Sequence, residues 1–180
     1  IRIEKENGME ANIGETGECL IKSTTLFSGY WNAKEVNKKD FKDGWFHMGD
    51  LMKRNSDNTL DFVDRAKYLI KSGGENIYPA EIERVLLSSK KVTEAVVVRA
   101  KSLKWGESPV AIVSIYKNNN KTKVANDLLN LCKSQLAGYK QPKKLLFIEE
   151  KDIPRSTTGK VQRHLVEEIL INNFNIKNLP

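Results

Sequence analysis

The chain has 180 residues, 39% of them apolar and 29% charged, with 30 Lys and Arg against 23 Asp and Glu. That balance suits one medium globular domain or two small ones, and no apolar run is long enough to read as a transmembrane helix. The charge is divided unevenly: residues 1–66 hold 10 basic and 12 acidic side chains, a net of −2, whereas residues 67–180 hold 20 and 11, a net of +9. Such asymmetry points to a boundary near residue 66 and to an anionic partner for the second part, either nucleic acid or a phosphate-rich small molecule. The basic residues are scattered lysines without an RNA-binding or zinc-finger spacing, so nucleic acid is not expected. Cys19 and Cys132 stand far apart, and neither they nor His47 and His164 have partners at metal spacing. Reduced structural thiols in a cytoplasmic protein are therefore expected, and a zinc site is not. The opening Ile1-Arg2-Ile3-Glu4 reads as the middle of a strand, so the chain is expected to belong to a longer protein.

In chain order, Gly14-Glu15-Thr16-Gly17 is a turn and residues 18–22 a strand. Ser28-Gly29-Tyr30-Trp31 is a turn that brings two aromatics together, and Asn32 is placed to cap a short helix through Lys39. Gly44-Trp45-Phe46 turns into a strand, and Asp57-Asn58 precedes another over residues 59–64, giving a small β-subdomain with one helix. A short strand over residues 68–71 then ends at Ser72-Gly73-Gly74, and Pro79 stands in the first turn of a helix carrying Ile82, Val85 and Leu86 at helical spacing. Residues 95–98 and 110–116 are β-rich runs expected to be neighbouring strands joined by a loop over 105–109. Residues 117–121 read as a polar surface turn, and residues 123–137 as an amphipathic helix with Val124, Leu128, Leu131 and Leu136 on one side. A strand over 144–148 and a helix over 162–170 complete an α+β arrangement of two or three helices on a small mixed sheet.

Three segments carry chemistry. Asp50 follows Gly49 at the end of an apolar strand, where a carboxylate accepts hydrogen bonds from ribose hydroxyls, and Arg65 offers a donor fork to the same sugar or to a phosphate. Lys71-Ser72-Gly73-Gly74 joins a cation to two glycines that permit close backbone approach, ahead of a helix start suited to anions. Pro154-Arg155-Ser156-Thr157-Thr158-Gly159-Lys160 is a polar, flexible, basic loop that can carry Lys160 into a site elsewhere, where an ammonium stabilises developing phosphate charge. Each segment alone also reads as an ordinary turn.

Their order and spacing carry more than the segments do singly. Gly14-Glu15-Thr16-Gly17-Glu18, Gly29-Tyr30-Trp31, Gly44-Trp45-Phe46, Gly49-Asp50-Leu51, Asp64-Arg65 with Lys67, Gly73-Gly74-Glu75-Asn76-Ile77-Tyr78-Pro79, Trp105-Gly106-Glu107, Tyr139-Lys140 with Pro142, and Pro154-Arg155-Ser156 with Gly159-Lys160 stand in one register. From about Gly14 to Leu170, that register resembles the C-terminal third of the adenylate-forming superfamily, in the form found in fatty-acid and aryl acid–CoA ligases. The resemblance implies residues 1–66 as the end of the large AMP-binding domain and residues 67–180 as a mobile lid domain. It implies an ATP-dependent ligase that makes an acyl-adenylate and then passes the acyl group to CoA. Asp50 and Arg65 would hold the ribose of ATP or AMP, Lys67 would be the hinge, and Lys160 would serve adenylation. Lys71 would approach the adenylate carbonyl, with Gly73 and Gly74 lining the pantetheine tunnel in the second step. Mg2+ is implied too, bound by residues outside this chain, as are the acid pocket and the phosphate loop; the chain alone is expected to be inert. Met48 stands where the family usually has Thr or Ser, and Tyr68 where Asp is common. Two alternatives stay open: an adenylating enzyme that loads a carrier protein, and a non-catalytic basic binding module.

Overall fold

Residues 1–117 and 119–179 are described in the computed structural model, and they divide into two units, Ile1–Lys67 and Tyr68–Pro180. The first is built on strands β1 (Arg2–Glu4) and β2 (Thr16–Ile21), helix α1 (Lys34–Asp40), and strands β3 (Phe41–Lys42), β4 (Trp45–Arg54) and β5 (Leu60–Arg65). The sheet is antiparallel throughout, with β4 at its centre between β2 and β5. Its buried hydrophobic residues are Ile3, Cys19, Leu20 and Leu51. At one end Phe27 packs edge-on against Tyr30, Phe41 and Phe46, with ring centroids 5.1–5.2 Å apart.

Two expectations fail here. Asn32 does not cap α1: it lies in the left-handed region at φ 51°, the helix starts after Ala33, and no side chain caps it. The turn is held instead from inside the helix, where Asn37 accepts from the Tyr30 amide at 2.7 Å and donates to the Tyr30 carbonyl at 2.8 Å. Nor do Tyr30 and Trp31 meet, because Trp31 is 98% exposed and Tyr30 turns to Phe27.

The second unit contains β6 (Ile70–Ser72), β7 (Glu75–Ile77), α2 (Pro79–Leu87), β8 (Val92–Ser102), β9 (Gly106–Ile115), α3 (Lys121–Gln135), β10 (Lys144–Phe147) and α4 (Arg163–Asn172). Strand β9 is the centre. It pairs antiparallel with β8 along its length and parallel with β10 over Val110–Val113, so the sheet is mixed. Both faces are covered. Ala95, Val97, Ala111 and Val113 join α2 and α3 in one core, while Val96, Val98, Val110 and Ile112 join α4 and the C-terminal segment in another. A sheet buried on both sides needs near-continuous apolar runs, which is why residues 95–98 and 110–113 do not alternate with polar ones. Pro79 occupies the first turn of α2, where a missing N–H costs nothing. Asn120 caps α3 by accepting from the Lys123 amide at 3.0 Å. The polar turn read over 117–121 includes Asn118, which lies outside the described residues.

Two connections differ from their sequence reading. Gly73-Gly74 closes a tight hairpin between β6 and β7, not a direct strand-to-helix turn. The loop expected over 105–109 is mostly strand: Gly106 already pairs with Ser102 on β8 and with Ser72 on β6, so the β8–β9 turn shrinks to residues 103–105. Among the described residues, no helix is long and apolar enough to cross a membrane.

Candidate functional site

In the first unit, the pairing of β4 with β5 sets Asp50 directly opposite Arg65. Arg65 Nη1 donates to Asp50 Oδ1 at 2.5 Å, and the Arg65 amide donates to the buried Asp64 carboxylate at 2.7 Å, which fixes the strand end from which the guanidinium projects. Gly49 adopts φ +70°, a left-handed turn that glycine makes without strain, and its amide donates to Glu18 Oε1 at 3.2 Å. The other Glu18 oxygen lies 3.2 Å from His47 Nδ1. Of these residues, Glu18, His47, Gly49 and Arg65 line a cleft of about 410 Å³ together with Met48, Lys67 and others. Lys67 is exposed and sits in a single 3-10 turn, Ala66–Tyr68. The contribution of Glu18 was not legible in the sequence; it became visible only when β2 was paired with β4.

In the second unit, Lys71 and the two glycines sit on the exposed rim of the β6–β7 hairpin. The Lys71 amide donates to Glu107 Oε2 at 2.9 Å, and the Gly73 amide donates to the Trp105 carbonyl at 2.9 Å. Gly73 has φ +59°, and a Cβ there would lie 2.7 Å from the Trp105 ring. The hairpin tip is therefore packed under an indole, and Lys104 places its ammonium 4.7 Å from the centre of that same ring.

Lys160 is exposed at the end of a hydrogen-bonded turn. Arg155 and Val161 form an antiparallel bridge, the Ser156 amide donates to the Lys160 carbonyl at 2.8 Å, and the Lys160 amide donates to Ser156 Oγ at 3.2 Å. Arg155 Nη1 donates to the Gly159 carbonyl at 3.0 Å, and its Nη2 pairs with Glu94. Three residues beyond Lys160, Arg163 forms a two-pronged pair with Glu83 at 2.5 and 2.8 Å and also donates to the Val97 carbonyl at 2.7 Å. Its guanidinium lies 5.0 Å from the centre of the Tyr68 ring. Glu83 and Arg163 are 80 residues apart, so no local pattern announces their pairing.

The two thiols are buried, and burial pushes both of them up from the ordinary cysteine range, which makes neither a nucleophile at neutral pH. Among the described residues, no three His, Cys, Asp or Glu side chains gather as a metal site.

The first unit thus sets an Asp50–Arg65 ion pair at the margin of a cleft, and the second displays Lys160 on a hydrogen-bonded turn. Residues 81–160 match the AMP-binding enzyme C-terminal domain. Comparison with known proteins agrees. The chain is 42% identical over 164 residues to 2-succinylbenzoate–CoA ligase of Bacillus licheniformis, covering 91% of this chain and 33% of the relative. It is 37% identical over 153 residues to a peroxisomal acetate/butyrate–CoA ligase of Arabidopsis thaliana, covering 83% of this chain and 26% of the relative. It superposes on o-succinylbenzoate CoA synthetase from Bacillus subtilis in complex with its acyl-adenylate intermediate, with a TM-score of 0.82 at 37% identity, over 92% of this chain and 33% of that one. The chain belongs to the adenylate-forming superfamily and corresponds to the C-terminal part of such an enzyme. It spans about a third of the length of the relatives it matches.

Proposed function

We propose that the chain is the nucleotide-edge and lid portion of an ATP-dependent acid–CoA ligase. In the first step a carboxylate oxygen of the acid attacks the α-phosphorus of ATP, and pyrophosphate leaves. In the second, the CoA sulfur attacks the acyl carbonyl, the thiol proton passes to solvent, and AMP leaves. The observation that carries the reading is that Arg65 pairs across the sheet with Asp50 and lines one cleft together with Lys67, so that a candidate sugar-binding pair adjoins the proposed pivot. Asp50 accepts from the ribose hydroxyls and Arg65 donates to them, each keeping the other oriented. Lys67, exposed in its 3-10 turn, absorbs the dihedral change of a lid rotation.

In the adenylating arrangement the lid presents Lys160, whose ammonium stabilises charge growing between carboxylate and phosphate. In the thioester-forming arrangement it presents the β6–β7 rim, with Lys71 near the acyl carbonyl and the Gly73-Gly74 backbone along the pantetheine arm. The acid is a fatty or aryl carboxylic acid; the relatives named for 2-succinylbenzoate and for acetate/butyrate support that breadth. Residues outside this chain supply the acid pocket, and a cytoplasmic setting suits two buried, reduced thiols.

The test uses the full-length enzyme and separates the half-reactions. Lys160→Ala is expected to slow acid-dependent pyrophosphate exchange by about 100- to 1,000-fold, while thioester formation from supplied acyl-adenylate and CoA stays within about threefold of wild type. Equal loss in both half-reactions overturns the role of Lys160, and transfer to a carrier protein with none to CoA overturns the choice of acceptor.

A further inference from the structure

We propose that Arg155 and Arg163 are positioning residues that clamp the Lys160 turn at both ends to one strand of the lid; the proposal rests on the adenylating role of Lys160. On the N-terminal side, Arg155 ties the turn to itself through the Gly159 carbonyl and to β8 through Glu94. On the C-terminal side, Arg163 ties the start of α4 to the same strand through the Val97 carbonyl, and to α2 through both oxygens of Glu83. Glu83 in turn accepts from the Val97 amide at 2.6 Å, so strand, helix and guanidinium are locked into one unit. The Glu83–Arg163 pair is largely withdrawn from water, with side chains only 13% and 15% exposed. Low exposure strengthens each bond and fixes its geometry. Arginine is suited to this because its rigid planar fork holds both carboxylate oxygens and a carbonyl in one fixed geometry, whereas a lysine ammonium is a point charge on a flexible stem.

The stacking of Tyr68 adds a second consequence. Tyr68 directly follows Lys67, and its ring lies against the Arg163 guanidinium. The residue just past the proposed pivot and the arginine three places beyond Lys160 are thus packed as one body. A dihedral change at Lys67 is transmitted to Lys160 through that body without slack. A long flexible lysine on a loose turn would sample many positions, and misplacement by an ångström costs a reacting group up to about 100-fold in rate.

The experiment has two arms. In the first, amide hydrogen exchange is followed on the chain itself in wild type, Arg155→Lys and Arg163→Lys. The amides of Ser156, Gly159 and Lys160 are expected to exchange roughly tenfold faster in both variants, while those of β9 keep their protection. Unchanged exchange in the turn overturns the clamp. In the second, the full-length enzyme carries the same substitutions with and without Lys160→Ala. With Lys160 present, each is expected to lower kcat for adenylation by about 10- to 100-fold with little change in KM. In the Lys160→Ala background neither is expected to matter further, because a positioning residue has nothing left to position. Losses that multiply in the double variants, or that fall equally on thioester formation, overturn the proposal. A wild-type enzyme that forms no adenylate sinks the functional reading instead, and the exchange arm still decides whether the clamp exists.

Discussion

The two units use β-sheet in opposite ways. In Ile1–Lys67 one antiparallel sheet carries the structure, and Ile3, Cys19, Leu20 and Leu51 are its buried hydrophobic residues among those described. In Tyr68–Pro180 a mixed sheet is covered on both faces, and more than twenty hydrophobic residues are buried. The difference shows what each is equipped for. The second unit has a core of its own, of the kind an independently folding domain has. The first has a thinner core and leaves Trp31, Phe62 and Ile13 exposed.

Separation is the severest way to break this comparison. Cut between Lys67 and Tyr68, residues 68–180 are expected to retain a cooperative thermal transition by circular dichroism, while residues 1–67 are expected to show none. Two cooperative transitions would refute the contrast. A smaller test compares ion pairs. Glu83→Ala leaves Arg163 without its carboxylate in a largely buried site and is expected to cost about 3 kcal/mol. Asp61→Ala in the first unit breaks an exposed 3.6 Å pair with Lys53 and is expected to cost under about 1 kcal/mol by denaturant unfolding.

How much of this was legible beforehand follows the same division. The lid's fold was readable because double-sided burial writes apolar runs into residues 95–98 and 110–113 and because Pro79 marks a helix start unambiguously. Asp50, Arg65 and Lys160 stand out as candidates through the spacing of many short motifs, not through any one of them. What escaped was everything that depends on distant partners. Nothing near Gly106 reveals that Ser72 pairs with it. Glu83 and Arg155 look like ordinary surface charges until β8 is placed between them.

Each unit carries a single cysteine, and the pair reports how readily each unit opens. Cys19 and Cys132 are both 1% exposed, so a maleimide reaches them only through opening, and burial further depletes the reactive thiolate. Cys19, in the unit with the thin core, is expected to be labelled about tenfold faster than Cys132 under native conditions. Both rates rise with pH, because the thiol exposed by opening reacts as its thiolate, whose fraction grows as pH climbs toward the ordinary cysteine value. Equal labelling rates would mean that the two units open together.

The same two thiols resolve the smallest effect, which concerns two left-handed glycines. Gly49 in the first unit has φ +70° and open space around it, the nearest atom to an added Cβ being Arg65 Nη2 at 4.0 Å. Gly73 in the second has φ +59°, but its added Cβ would stand 2.7 Å from the Trp105 ring. Alanine at either position pays the left-handed strain, about 1–2 kcal/mol. At Gly73 it must also displace an indole that is 42% exposed and already engaged by Lys104. Gly73→Ala is therefore expected to cost roughly 1 kcal/mol more than Gly49→Ala, read as faster labelling of Cys132 and Cys19 respectively. In a Trp105→Ala background the ring is gone and the excess should vanish, leaving only strain. If the excess survives, the tight packing of the hairpin rim against Trp105 is not what distinguishes the two glycines, and the contrast between an open cleft edge and a packed lid edge fails at the atoms where it is most local.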